Sequence, residues 1–168
     1  MVVFGLLAWP GGRNAPSTSA VIPPQTQVSQ LPLRFETNRG QTDSSVDFVS
    51  RGPGYTVYVA KSEVRFDLRD NKQGRRALGL RLTGASSQSS VEGVEPLSAR
   101  SNYFIGNAPD KWQTDIPTYA RVRQRNVYPG IDAVYYGSRQ RLEYDFVVAP
   151  HADPRQIKLA FDGADQIQ

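Results

Sequence analysis

The sequence predicts an all-β domain, an antiparallel β-sandwich-like fold or open barrel, from three observations. Short segments alternate apolar and polar residues with a period of two, as in Glu63-Val64-Arg65-Phe66-Asp67-Leu68 and Leu142-Glu143-Tyr144-Asp145-Phe146. Turn formers such as Gly52-Pro53-Gly54 and Pro129-Gly130 punctuate them at short intervals. No segment holds a helical period, so no crossover helices are expected and neighbouring strands should run antiparallel.

The elements follow in order. Val2-Val3-Phe4-Gly5-Leu6-Leu7-Ala8-Trp9 is a short apolar run followed by Pro10-Gly11-Gly12 and a stretch of small residues, so residues 1–20 read as the back half of a secretory signal peptide. The alternative for Met1 to Trp9 is an ordinary first strand. Residues 21–30, with Pro23-Pro24, read as a linker, and the folded domain is expected over 31–168. Within it, Val46–Ser50 and Tyr55–Val59 flank Gly52-Pro53-Gly54 as a hairpin, and Glu63–Leu68 adds a third strand with Val64, Phe66 and Leu68 on one face. Leu78, Leu80 and Leu82 mark a fourth strand, and another begins near Val91. Pro129-Gly130 suits a type II turn, because proline presets φ and glycine accepts a positive one. Past it come Ala133–Tyr136, a strand with Leu142, Tyr144, Phe146 and Val148 on one face, and a last alternation at Ile157, Leu159 and Phe161. The chain ends at Gln168 just after a strand, and the domain is read as incomplete at its C-terminus, the N-terminal module of a longer protein.

Composition narrows the chemistry. A chain of 168 residues has room for one core that needs no covalent staples. There is no cysteine, which excludes disulfides, thiol catalysis and cysteine-ligated metals. The net charge of +4 is scattered instead of gathered into a basic run, so no nucleic-acid partner is expected. The apolar leader is far too short to span a bilayer.

Several stretches occur together in one order: Phe35-Glu36-Thr37-Asn38-Arg39-Gly40-Gln41, then SNYFIGN from Ser101 with Trp112 after it, then VYPGID from Val127 with Tyr135-Tyr136-Gly137. Leu142-Glu143-Tyr144-Asp145-Phe146 and Ala152-Asp153-Pro154 complete the series. Over roughly Leu31 to Gln168 the chain resembles the domain of unknown function that precedes SBBP-type β-propeller repeats in large exported bacterial proteins. The resemblance implies an extracytoplasmic, secreted or surface-held β-rich module whose partners include downstream β-propeller repeats of the same polypeptide. It implies no activity and no cofactor for any residue.

The candidate site residues follow from side-chain chemistry. A Ser-His-Asp arrangement would have to use His151, the single histidine, which lies in Pro150-His151-Ala152-Asp153-Pro154 and reads as an exposed turn residue where similar sequences carry glycine. Glu143 and Asp145 lie two apart on one strand, ~7 Å between Cβ atoms, a spacing compatible with glycoside hydrolysis or, with Asp132, with a calcium site. The alternative is a solvated strand face. Arg121, Arg123 and Arg125 alternate into a basic stripe that reads either as an anion or polysaccharide dock or as charge guarding an edge strand. In SNYFIGNAPDKW, Tyr103 and Ile105 alternate with Phe104, which suggests a strand covered on both sides and a structural corner with Trp112 closing over the core edge. A carbohydrate platform is the other reading. For that reading the contact set is Trp112, Tyr119, Tyr135, Arg121, Arg123, Arg125, Glu143 and Asp145. Two function classes result: a non-catalytic module acting in assembly, adhesion or binding of extracellular glycan or protein, and a polysaccharide-acting enzyme fragment using acidic residues.

Overall fold

The structure is a computed structural model, and it describes residues 2–6, 33–70, 74–138 and 141–163, with backbone alone over 2–6. The chain folds as antiparallel β throughout, as the alternation requires. β1 (Val2–Leu6) is followed by β2 (Phe35–Thr37), β3 (Phe48–Gly52), β4 (Tyr55–Val59), β5 (Glu63–Asp70) and β6 (Gly74–Leu82). Then come β7 (Ser90–Tyr103), β8 (Gln113–Tyr128), β9 (Ile131–Ser138), β10 (Arg141–Val148) and β11 (Leu159–Asp162). Single 3-10 turns at Pro109–Lys111 and Pro154–Gln156 sit between β7 and β8 and between β10 and β11.

One curled sheet runs β1-β10-β9-β8-β2-β3-β4-β5-β6-β11, with β7 on the other edge of β8. β8, at 16 residues, is the hub. Along one edge it pairs with β7; along the other it pairs first with β2 at Thr118 and Tyr119, then with β9 from Arg121 onward. The change of partner divides the sheet into two wings, β2-β3-β4-β5-β6-β11 and β9-β10-β1. Both wings contribute to one continuous core. Val57, Val59, Val64 and Leu80 come from the first, Ile131, Tyr135, Leu142 and Phe146 from the second, and Phe35 and Val122 from the junction. The arrangement is the sandwich-like curl that one-sided strands need to bury their apolar faces.

The turns carry the predicted backbone. Gly130 in the β8–β9 hairpin has φ 71°, with Tyr128 opposite Ile131. Gly137 is required for a different reason: a Cβ there would stand 2.3 Å from Cβ of Leu33, so only glycine lets the start of the domain lie against β9. Val2–Leu6, the front of the apolar leader, is placed antiparallel beside β10 with Leu6 opposite Glu143. The remainder of the leader and the linker lie outside the described residues.

Three expectations are corrected by this topology. Arg121, Arg123 and Arg125 do not guard an edge, because β8 has neighbours on both sides over that stretch. The SNYFIGN segment is not a strand covered on both faces. β7 ends at Tyr103, and Phe104 and Ile105 stand in the following loop, 64% and 68% exposed. Trp112 therefore packs against Phe104 instead of over the core edge. A structural corner does exist, at the start of this stretch. Glu36 of β2 is 7% exposed, and its carboxylate accepts from the Ser101 hydroxyl (2.8 Å), from Arg51 (3.1 Å) and from the Tyr103 hydroxyl. The Arg51 guanidinium lies 5.1 Å from the centre of the Tyr103 ring. The FETNRGQ and SNYFIGN stretches thus meet through one buried, fully partnered carboxylate.

Candidate functional site

The eight candidate contact residues separate into three places. Tyr135 belongs to the interior, and Tyr119 is partly buried against the core. Tyr135 is 2% exposed, with its hydroxyl donating to Oε1 of Gln124 at 3.3 Å, and Tyr119 packs edge-on against Phe48 with ring centres 5.8 Å apart. Tyr135 presents no face to a ligand, and its candidacy is corrected on that ground. An aromatic ring in a strand is legible as apolar, but the side it takes depends on where the sheet bends.

Arg121, Arg123, Arg125, Glu143 and Asp145 are brought together on the outer face of the β7-β8-β9-β10 region. The registers make two rows. Arg121 stands opposite Tyr136, which stands opposite Glu143; Arg123 stands opposite Val134, which stands opposite Asp145. Arg121 is held by Glu95 of β7 at 3.0 Å and lies over the Tyr136 ring at 4.9 Å. Arg125 is paired with Glu92 at 2.6 Å, which raises its pKa. The Tyr136 phenol is pushed up to about 12, by burial first and then by the carboxylates of Asp145 and Glu143. Nε of Arg123 and Oδ1 of Asp145 are withdrawn from solvent with no hydrogen-bond partner. Between them Val134 is 6% exposed. This face is therefore wet at its rim, where Arg121 and Arg125 keep part of their exposure, and dry only around Val134.

The carboxylates do not converge with Asp132. That residue lies toward the β8–β9 turn, where its Oδ1 accepts from the backbone N–H of Asn126 at 2.8 Å and stabilises a bulge with Asn126 at φ 51°. Its oxygen is committed to the fold. Among the described residues no three His, Asp or Glu side chains gather as a metal-binding group. His151 is exposed in a turn with φ 70°. Its backbone carries the left-handed conformation that favours glycine.

Trp112 lies elsewhere, at the tip where β7 turns back into β8. Its indole N–H donates to the Gly106 carbonyl at 3.2 Å, and its ring meets Phe104 edge-on, centres 5.2 Å apart at 88°. The 3-10 turn at Pro109–Lys111 ends in the Trp112 N–H bonding the Pro109 carbonyl at 3.1 Å, and Asn102 accepts from the Asp115 N–H at 2.9 Å. The tip is thus built by its own hydrogen bonds, with Phe104 and Ile105 outside. Neither residue stood out as an exposed contact in the sequence, because an apolar pair in a β-rich chain reads as core. The neighbouring Gly106-Asn107-Ala108-Pro109-Asp110 is the signal that the strand has already ended.

Residues 35–168 match one protein-family model, a domain of unknown function (DUF7948). No curated protein and no solved structure matches the chain.

Proposed function

Since the chain belongs to the DUF7948 family, a domain of unknown function matched over residues 35–168, we propose a role by contact instead of turnover. In this reading it is a non-catalytic module of an exported protein, acting in assembly, adhesion or glycan binding beside downstream β-propeller repeats of the same polypeptide. The single observation that carries the reading is the β7–β8 tip. Phe104 and Ile105 are 64% and 68% exposed, and Phe104 packs on Trp112 in a turn braced by its own hydrogen bonds. Apolar side chains grouped on a rigid projection are costly to leave in water and are characteristic of surfaces that meet something. Glu143 and Asp145 fit a supporting polar face better than a hydrolytic pair, since the Tyr136 ring and Arg121 crowd the row between β8 and β10.

The test is retention and turnover measured together. The purified chain is passed over immobilised extracellular polysaccharide and matrix protein, beside Trp112→Ala, Phe104→Ser and Glu143→Gln variants, and each is assayed for glycan and peptide hydrolysis. Retention lost in the two tip variants, without hydrolysis by any form, is the expected result. Hydrolysis by the parent that disappears in Glu143→Gln would sink the contact reading. Export is checked separately by mass spectrometry of protein made with its upstream codons, which should show a mature N-terminus near Val21. Such cleavage removes the Val2–Leu6 strand and leaves β10 at the sheet edge.

A further inference from the structure

The loop joining β2 to β3 borders an open depression of about 410 Å³, whose lining includes Thr37, Thr42, Ser44, Asp47 and Phe48, with Val91 contributed by β7, which pairs with β8. The loop is held in shape by its own amides. Asn38 donates to the carbonyls of Asp43 and Val46 at 2.7 and 2.8 Å and accepts from the Gly40 N–H at 3.1 Å. Gln41 donates to the Thr37 carbonyl at 2.7 Å and accepts from the Arg39 N–H at 2.6 Å. Both amides are therefore occupied within the loop, and what remains toward the depression is three hydroxyls and one carboxylate.

That carboxylate is out of balance. Oδ2 of Asp47 is withdrawn from solvent and has no hydrogen-bond partner, and burial raises the group's pKa against the opposing charge of Lys61. The hydroxyls of Thr37, Thr42 and Ser44 are likewise without partners among the described residues. Oδ1 is not withdrawn in this way and is the oxygen that a ligand in the depression can reach, and a half-buried carboxylate gains more from a hydrogen bond supplied there than the same group at the surface. The complementary ligand donates to a carboxylate, exchanges hydrogen bonds with hydroxyls and rests an apolar side on the half-buried Val91. The charge of Lys61 disfavours a second cation beside Asp47. A sugar ring meets all of these requirements, with hydroxyls on its rim and C–H groups on its face, and the depression lies in the size range of small-molecule sites.

We infer that this depression binds one hexopyranose unit of a glycan, with Asp47 accepting from the sugar hydroxyls and Thr37, Thr42 and Ser44 completing its hydrogen bonds. The inference is independent of the β7–β8 tip, and its test keeps the two apart. The purified chain is titrated with the methyl glycosides of glucose, galactose and N-acetylglucosamine while backbone amide resonances are followed. At least one glycoside should give saturable shifts centred on residues 37–48 and Val91. Its Kd should weaken at least tenfold in Asp47→Asn and in Thr42→Val, the scale of one lost hydrogen bond to a charged or well-placed group, and stay unchanged in Arg141→Ala, at an exposed position of β10. The amide spectrum of each variant reports whether it is folded, and Thr42→Val leaves the Asp47 charge in place. No saturable shift with any of the three glycosides, equal affinity in folded Asp47→Asn, or loss in Trp112→Ala alone would overturn the site. So would saturation of the same resonances by methylammonium in preference to the glycosides.

Discussion

His151 holds φ at 70° without the freedom of glycine, and among the described residues no hydrogen bond of its side chain offsets that conformation. A left-handed backbone costs a residue with a Cβ roughly 1–2 kcal/mol, while glycine at the same place costs entropy in the unfolded chain. His151→Gly is therefore expected to raise stability by a net amount of roughly 0.5–1 kcal/mol, read as a shift of the urea midpoint at constant slope. An unchanged or lowered midpoint would contradict the strain. This residue was legible because turn chemistry is local: Pro150 and Pro154 bracket it, and Asp153 accepts from the Arg155 N–H at 3.0 Å to begin the next turn. Tyr119, Tyr135 and Asp132 were not legible at the same scale. Their roles depend on partners at Phe48, Gln124 and Asn126, and on which side of a bend each strand passes.

Strand faces were readable wherever a strand keeps one register. Leu142, Tyr144 and Phe146 are 5%, 7% and 2% exposed and share the core face, as alternation predicts, while Glu143 and Asp145 point away. Phe146→Ala should cost roughly 3–5 kcal/mol and Glu143→Ala little, and a reversed order of denaturation midpoints would mean a register slip of one residue. Where β7 and β8 bulge, alternation fails. The register shifts between Pro96 and Arg100 and again between Ser101 and Tyr103, which re-aims Ser101 and Tyr103 onto Glu36 and frees Phe104 and Ile105. A period-two reading cannot anticipate an inserted residue. The resulting corner ties β2, β3 and β7, and its members should act as a unit. In a cycle of Glu36→Gln, Tyr103→Phe and the double variant, the coupling is expected at about 1–2 kcal/mol, kept modest because Arg51 is partly solvated. Additive losses would show that Glu36 and Tyr103 contribute separately.

At the scale of the whole molecule, the curl of one sheet around β8 draws tyrosines from both wings into poorly solvated places, and this sets a limit on stability in alkali. The chain has eight tyrosines. Burial is the first cause in each of five raised phenols: Tyr103 and Tyr136 are pushed up to about 12, and Tyr55, Tyr135 and Tyr144 are raised as well. Beside Tyr103 the Glu36 carboxylate adds to the effect, and beside Tyr136 the Asp145 and Glu143 carboxylates do. A phenol whose folded pKa lies above its ordinary value of 10.0 keeps its proton longer in the fold than in the unfolded chain. The stability these tyrosines contribute is thus fully present below pH 10 and is lost as pH rises toward 12. The urea midpoint should fall steeply between those values, and the last part of the tyrosinate absorbance, that of these five phenols, should appear together with loss of the β-sheet circular dichroism signal, not ahead of it. Tyr136→Phe should flatten that fall, because it removes one coupled phenol while keeping the ring under Arg121. Titration of these five phenols near pH 10 on a chain that remains folded would overturn the account, since it would place water around rings that the fold withdraws from it.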